Sequence, residues 1–383
     1  TTTNVYGFYS ITVPEGKYTL KVSFLGYETY AQEIDLTKDF EANIELRESA
    51  FTKEEVVVKG EKSDQNTKSA KMSTVEVPIQ QIKELPALLG EVDVIKTIQL
   101  LPGVQSGSEG NAGLYVRGGG PDQNLVLLDE AVVYNASHLF GFLSVFNADA
   151  IKSIELTKGS MPAKYGGRLS SVLDISMKEG NNKKFEMEGG LGIINSRLTL
   201  QGPLVKAKGS FLFSGRFAYI GLLGGAIASA VADNNEGEGG FFSGASYYFF
   251  DLNGKLNYTL GKKDRIFLSA YWGRDVFGFE SQDDFSANIG WGNATTSLRW
   301  NHIFNPKLFM NTSFIFSDYQ FEFGAGQQEF DLALRSGIRD YNLKIDLNWL
   351  PDIKHKVGFG ANYIYHTFTP SSVSARTGDT ELD

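Results

Sequence analysis

With 383 residues, the chain is long enough for two or three domains rather than a single core. It contains no cysteine, which excludes disulfide bonds, thiolate metal sites and a cysteine nucleophile. The formal net charge of −9, from 45 acidic and 36 basic residues, argues against nucleic-acid binding, because that function needs clustered Lys and Arg.

The first predicted unit covers residues 1–50 and consists of short β-like runs. Residues 18–24 and 30–36 alternate as strands, with a turn at 26–27 between them. The segment "NVYGFYSITVPEGKYTLKVSFLGYET" resembles the carboxypeptidase regulatory-like domain, and an unrelated Ig-like β-domain is the alternative. The resemblance implies a small Ig-like β-sandwich, and we expect its N-terminal edge strand to be missing from this chain.

Residues 51–73 follow as an extended segment and a polar linker. An unpaired strand of this kind is suited to joining the sheet edge of another protein. The run resembles a TonB box, which implies TonB, the inner-membrane energy-coupling protein, as partner, although an ordinary strand is equally compatible with the pattern. The residues that carry this prediction are Glu54, Glu55, Val56, Val57 and Val58.

Residues 74–182 have a mixed α/β pattern. Apolar residues spaced for one helical face predict a helix over 85–101, which Pro102 and Gly103 end. Short strands between Gly, Asn and Asp turns are predicted for the segments "GLYVRGG", "QNLVLLDEAVVYN", "IKSIELTKG" and "SSVLDISMK". Together these segments resemble the plug domain of TonB-dependent receptors. In that family Gly usually follows the Asp of "LLDG", and Glu130 at this position should strain a turn that needs positive φ.

A plug that moves inside a barrel should make polar rather than apolar contacts with the barrel wall. Arg117 and Arg168 could pair with Asp129 or Asp174, and such pairs would serve either in gating or only in stabilising turns. The plug motif that we assign comprises Arg117, Gly118, Gly119, Asp129, Tyr165, Gly166, Gly167 and Arg168.

Residues 183–383 read as about eight strands of alternating polarity. Residues 341–349 place Tyr, Leu, Ile and Trp on one face and Asn, Lys and Asp on the other. Short turns near 202–208, 261–264, 305–306 and 351–352 alternate with longer polar stretches at 221–242, 278–286, 323–328 and 370 onward. This asymmetry is typical of an outer-membrane β-barrel.

Eight strands are too few to enclose a plug, so we expect a truncated barrel whose last strand pairs beyond this chain. The direction of the first strand is open. Either residues 185–201 contain a hairpin, or the plug joins the wall in another way.

The resemblance implies a mainly β protein of the outer membrane of a Gram-negative bacterium, with its N-terminal module and TonB box in the periplasm. It implies active import of a nutrient, whether glycan, siderophore, cobalamin or peptide, and contact with outer-membrane lipids. A surface substrate-binding lipoprotein is a further partner that it allows. A passive or adhesive barrel protein without energy coupling is the alternative.

Catalysis has little support in the sequence. There is no GxSxG elbow, and no spacing brings two carboxylates together. The four histidines, His138, His302, His355 and His366, lack the HxxxH and HExxH spacings of zinc sites. We therefore predict no enzyme activity, no metal and no cofactor.

Overall fold

A computed structural model gives the fold of this protein. It describes residues 3–4, 6–24, 27–47, 73–84, 91–107, 113–219, 221, 245–280, 285–327, 330–352, 355–377 and 380–382.

The N-terminal module contains two antiparallel strands, β1 (Gly16–Val22) and β2 (Tyr30–Leu36). Their register pairs Gly16 with Leu36 and Val22 with Tyr30. Both strands leave most side chains exposed or half-buried, so this sheet has no deeply buried face. In the described part of residues 1–50, β1 and β2 are the strands observed, and the complete β-sandwich stays a prediction.

The plug is built around a five-stranded sheet with the order β3 (Thr74–Pro78), β10 (Ile151–Lys158), β11 (Ser171–Met177), β6 (Asn124–Leu128) and β7 (Ala131–Val132). Strands β6 and β11 are parallel, and the other neighbours are antiparallel. The plug elements are β3 (Thr74–Pro78), α1 (Ile79–Glu84), α2 (Val94–Gln99), β4 (Val104–Gln105), β5 (Tyr115–Val116), β6 (Asn124–Leu128), β7 (Ala131–Val132), β8 (Ser137–His138), β9 (Leu143–Ser144), β10 (Ile151–Lys158) and β11 (Ser171–Met177).

The plug core lies between this sheet and the two short helices. Ile154 and Leu173 from the sheet and Ile82 and Ile98 from the helices are fully buried in one apolar cluster. The part of the helix predicted over 85–101 that the structure describes contains α2, and residues 85–90 lie outside the described residues. Asp93 is extended and caps α2 by accepting a hydrogen bond from the Lys96 backbone N–H. Within the described ranges, no helix is both long and apolar enough to cross a membrane.

The rest of the chain forms one antiparallel sheet in sequence order, which we call the wall. Its described residues form eight long strands and a short strand at each edge, in agreement with the predicted number of about eight. The wall strands are β12 (Glu186–Leu191), β13 (Asn195–Val205), β14 (Gly209–Ala218), β15 (Ala245–Thr259), β16 (Asp264–Glu280), β17 (Phe285–Asn305), β18 (Leu308–Gln327), β19 (Phe330–Trp349), β20 (Val357–Thr377) and β21 (Thr380–Leu382).

The wall begins with a hairpin, which answers the question of its first strand. Strand β12 pairs antiparallel with β13, with Glu186 opposite Gln201 and Leu191 opposite Ser196. The chain therefore reverses at residues 192–194, and β13 runs in the opposite direction to β12, to the turn at residues 206–208.

The two ends of the wall differ, although less than the sequence suggests. Residues 206–208, 260–263 and 306–307 connect strands at what we call the short-turn end. Between the described strands at the opposite end, the one long connection joins β14, which ends at Ala218, to β15, which begins at Ala245. The described parts of the polar stretches at 278–286, 323–328 and after 370 lie in the strands β16, β17, β18, β20 and β21, so their prediction as loops was wrong there.

Candidate functional site at the contact between plug and wall

The wall buries its polar face. Side chains on the inner face of β15 include Asp251, Asn253 and Lys255, which are 0%, 4% and 2% exposed. A soluble sheet buries apolar side chains, because an unpaired buried polar group costs about 1–3 kcal/mol. The plug supplies partners for this polar face, and its contacts extend from β12 to β19.

The outer face of the wall is apolar and exposed. Trp272 and Phe314 are 53% and 51% exposed, and Phe213, Leu298 and Tyr341 are similarly open. Exposed apolar side chains that alternate with buried polar ones are the arrangement of a membrane barrel, which faces lipid outside and a polar interior. The sheet is therefore part of a barrel wall.

Arg216 on β14 is the centre of the most extensive polar contact. Its side chain is almost fully buried, and its Nη1 lies 2.7 Å from Glu91 Oε1 of the plug. Its Nη2 lies 2.6 Å from Asp251 Oδ2 of the neighbouring wall strand and donates to the Ser144 carbonyl oxygen of the plug at 2.7 Å. A single guanidinium thus joins plug and wall through charge-assisted hydrogen bonds.

His138 of the plug lies beside this group. Its Nε2 lies 2.8 Å from Asp251 Oδ1 and its Nδ1 lies 2.6 Å from Asp275 Oδ2 on β16. Burial alone lowers the pKa of His138, but the carboxylates of Asp251 and Asp275 outweigh burial and raise the pKa to about 9. We call Glu91, His138, Arg216, Asp251 and Asp275 the His138 cluster.

The residues that follow His138 have an unusual backbone. Leu139 and Phe140 have φ values of 49° and 53°, in the left-handed region that non-glycine residues rarely occupy. The Leu139 N–H donates to Tyr247 Oη at 2.7 Å and to Asp275 Oδ1 at 3.1 Å. The Phe140 ring packs on Trp291 of the wall at 4.9 Å between centroids. Wall contacts therefore hold this strained segment.

A second contact lies toward the short-turn end. The β6–β7 turn consists of Asp129 and Glu130, with φ values of 46° and 75°, so the predicted strain at Glu130 is confirmed. Ser313 Oγ on β18 donates to Glu130 Oε2 at 2.5 Å, and the Tyr6 hydroxyl donates to Glu130 Oε1. Asn311 Nδ2 donates to Tyr6 Oη at 2.8 Å.

Tyr6 brings the N-terminal module into this contact. Its ring stacks on Phe309 at 5.7 Å between centroids, and the Arg299 guanidinium lies 4.8 Å from the ring centre. Burial would raise the pKa of Glu130, but Lys344, Arg299 and the two hydroxyl donors lower it below its usual value. We call Tyr6, Glu130, Arg299, Asn311 and Ser313 the Glu130 cluster.

The plug motif is only partly brought together. Arg117 has a φ of 49° in the turn before Gly118 and Gly119, and a Cβ on Gly159 would lie 2.6 Å from Arg117 Nη1. Gly159 thus leaves room for the guanidinium. The Ser170 hydroxyl donates to the Val116 carbonyl at 2.7 Å, which joins this turn to the loop that carries Gly166, Gly167 and Arg168.

The carboxylates have other partners than the predicted arginines. Lys255 Nζ of the wall lies 2.8 Å from Asp129 Oδ2, and the Tyr165 hydroxyl donates to Asp174 Oδ2 at 2.8 Å. Arg168 Nη1 donates to the Gly167 carbonyl instead. The pairing of Arg117 or Arg168 with Asp129 fails because both arginines precede the parallel strands β6 and β11, whereas Asp129 follows β6.

The predicted TonB-binding residues Glu54, Glu55, Val56, Val57 and Val58 lie outside the described residues. In the ranges that the structure describes, no group of three or more His, Asp or Glu side chains is placed to hold a metal ion.

Sequence reasoning missed the residues that hold the plug. His138 was considered only as a zinc ligand, and Arg216, Asp251 and Asp275 were not singled out. The available signal was an ionisable side chain on the inner face of an alternating wall strand, where burial demands a partner of opposite charge.

Family comparisons agree with both resemblances. Residues 1–58 match the CarboxypepD_reg-like domain, and residues 66–171 match the TonB-dependent Receptor Plug Domain. No protein of curated function matches the chain.

Solved structures share the fold at low identity. The ferric preacinetobactin receptor BauA of Acinetobacter baumannii is 12% identical with a TM-score of 0.52, and the match covers 79% of this chain and 47% of BauA. The copper transporter OprC is 14% identical with a TM-score of 0.54, covering 79% and 46%. FpvA of P. aeruginosa is 14% identical with a TM-score of 0.52, covering 82% and 45%. The chain spans about half the length of these relatives.

Proposed function

Because the chain has the domains and the fold of a TonB-dependent receptor, we propose that it belongs to an outer-membrane transporter that imports a nutrient with energy delivered through TonB. The observation that carries this proposal is the polarity of the wall: its polar face is buried against the plug, and its apolar side chains are exposed on the other face. A plug held by polar contacts can be displaced without exposing a large apolar surface.

The two ends of the wall suggest an orientation. In outer-membrane barrels the short turns lie in the periplasm. Tyr6 contacts Phe309 near the start of β18, so the N-terminal module lies toward the short-turn end. Phe140 and Phe142 are more than half exposed, and Phe140 packs on Phe277 and Trp291 toward the opposite end. We propose that this plug face meets the substrate at the cell surface.

In the proposed mechanism, TonB pairs with residues 54–58 by strand addition, and its pull displaces the plug. The relatives are named for a ferric chelate and for copper, so the fold alone does not select a substrate class. A surface lipoprotein that delivers the substrate is compatible with this arrangement. No step requires covalent chemistry.

The coupling step is tested by replacing Val57 with Pro. Proline removes the backbone N–H that strand addition needs, so we expect the purified full-length variant to lose binding of the C-terminal domain of TonB by at least about tenfold. Val57→Ala keeps the N–H and is the matched control, with binding near that of the unmodified protein. Binding measured by titration calorimetry separates the two variants.

Equal binding of TonB by the Pro and Ala variants would refute the assignment of residues 54–58. Uptake of iron chelates, cobalamin, oligosaccharides or peptides by whole cells then decides the broader class. Uptake that persists after a protonophore collapses the proton gradient would favour a passive barrel over an energised transporter.

A further inference from the structure

His138 occupies a position that only a charged imidazole satisfies. Its ring is buried and stacks on Phe249 at 4.0 Å between centroids and 12° between planes. Each ring nitrogen meets a carboxylate, and the two carboxylates come from neighbouring wall strands. One plug side chain thus bridges β15 and β16.

Both carboxylates already accept other hydrogen bonds. Asp251 accepts from Arg216 Nε at 2.8 Å and from the Tyr271 hydroxyl at 2.8 Å. Asp275 accepts from the Tyr247 hydroxyl and from the Leu139 N–H. A carboxylate surrounded by donors has no proton to offer, so both nitrogens of His138 must donate. The ring is then an imidazolium.

Charge balance supports the same protonation state. Groups on every packed element face this position: Arg216 from β14, Tyr247 and Asp251 from β15, Tyr271 and Asp275 from β16, and Glu91 from the plug through Arg216. Glu91 also lies 3.7 Å from Arg197 Nη1, and Arg197 shares Asp149 with Lys83. Four carboxylates therefore face Arg216, Arg197, Lys83 and His138, and without the imidazolium proton one negative charge would be uncompensated in a buried site.

The strained backbone adds a mechanical consequence. Left-handed φ values at two successive non-glycine residues are unfavourable and persist only where surrounding contacts enforce them. Here the enforcing groups are Asp275 and Tyr247, which hold the Leu139 N–H. Separation of His138 from the wall would allow Leu139 and Phe140 to relax, which favours release once it begins.

We propose that protonated His138 is the lock that holds the substrate-facing part of the plug on the wall, and that loss of its proton releases residues 137–142 from β15 and β16. The inference deepens the proposed function, because it names the contact that must break when the plug moves. The lock opens by transfer of one proton from the imidazolium to water, and it closes when the ring takes a proton back.

The direction of the pH dependence follows from the raised pKa. The group titrates at about 9 in the folded protein and near 6.5 when unfolded. The stabilisation from the lock is therefore fully present below pH 6.5 and is lost as the pH rises through about 9. We expect the plug to be held most firmly at neutral and acidic pH.

The protonation state can be observed directly by NMR. In full-length protein labelled with ¹⁵N-histidine, His138 should show two imidazolium nitrogen signals at pH 7.5, which change only as the pH approaches 9. The signals are assigned by their loss in His138→Gln. A neutral imidazole at pH 7.5 would overturn the proposal. The titration itself is measured on the unmodified protein, and the variant serves only to assign the signals.

The locking role is tested by amide exchange at one fixed pH. We expect His138→Gln to speed exchange of amides 139–146 by at least about tenfold, because glutamine carries no charge and leaves a buried carboxylate poorly paired. His302→Gln is the matched control, since His302 forms a similar bond to Asp264 at 2.7 Å within the wall. The control should leave these amides unchanged.

A double variant separates the lock from simple packing. Adding Asp275→Asn to His138→Gln lets two neutral amides pair, so protection should return in part. Equal exchange in His138→Gln and in the unmodified protein, or the same loss with His302→Gln, would overturn the lock. These measurements use neither TonB nor a substrate, so a failure of energy coupling would leave their outcome unaffected.

Discussion

The His138 cluster and the Glu130 cluster both fasten the plug to the wall, yet they do so by different means. The His138 cluster is built from charges, with Arg216 and His138 each contacting two carboxylates. The Glu130 cluster depends on hydroxyl and amide donors from Ser313, Tyr6 and Asn311. It also involves a third part of the chain, the N-terminal module.

Because of this difference, we expect the two contacts to differ in strength and in their dependence on protonation. A fully buried ionic contact is lost almost completely when one charge is removed, because the remaining charges stay desolvated. Neutral donors around a single carboxylate each contribute about 0.5–1.5 kcal/mol, or somewhat more when the acceptor is charged. The first contact should therefore behave as a switch that follows protonation. The second contact should weaken gradually as individual donors are removed. Because Tyr6 is one of these donors, the strength of the contact should also depend on where the N-terminal module lies.

Arg216→Met gives the largest expected effect and tests the ionic contact as a unit. It leaves Glu91 and Asp251 buried without their guanidinium, so we expect a loss of about 3–5 kcal/mol in the free energy of unfolding. Urea unfolding of the purified protein in detergent micelles measures this loss. Arg274→Met is the matched control, because Arg274 forms an ion pair of similar length within the wall, at 2.7 Å to Glu322 Oε2, but its side chain is 35% exposed.

The control should lose no more than about 1 kcal/mol, as partly exposed ion pairs do. Similar losses for both arginines would mean that the ionic contact has no special weight and that the comparison with the Glu130 cluster is unfounded.

Much of the architecture was predictable from the sequence because it depends on local patterns. Alternation along 341–349 places Tyr341 on the exposed face and Asn342 on the buried face, as β19 confirms. The replacement of a turn glycine by Glu130 predicts strain, and a φ of 75° confirms it. Such inferences need only the residue and its immediate neighbours.

The contacts that hold the plug were not predictable in the same way. His138 is 113 residues from Asp251 and 137 residues from Asp275, so no spacing rule connects them. Their meeting depends on how the plug is seated on the wall. The predicted partners of Asp129 were wrong for the same reason, since Lys255 reaches it from β15. Pairing across two domains is a tertiary property that alternation does not encode.

Glu130→Gln is expected to have an intermediate effect and tests whether charge matters at the second contact. The amide keeps the size of the side chain but removes the charge that Arg299 and Lys344 face. We expect a loss of about 1–3 kcal/mol in the free energy of unfolding. Glu186→Gln is the control, because Glu186 pairs with the exposed Lys184. A loss as large as that of Arg216→Met would remove the distinction between the two clusters.

Tyr6→Phe has the smallest expected effect and tests the link to the N-terminal module. The ring should stay stacked on Phe309 and near Arg299, so only the hydroxyl bonds to Glu130 and Asn311 are lost. We expect a loss of about 0.5–1.5 kcal/mol, seen as faster amide exchange in residues 6–9 with no change at residues 139–146. Tyr18→Phe is the control, because its hydroxyl donates to the exposed Pro14 carbonyl within the module. If Tyr6→Phe also loosened residues 139–146, the two clusters would form one coupled contact, and release of the module would itself loosen the His138 lock.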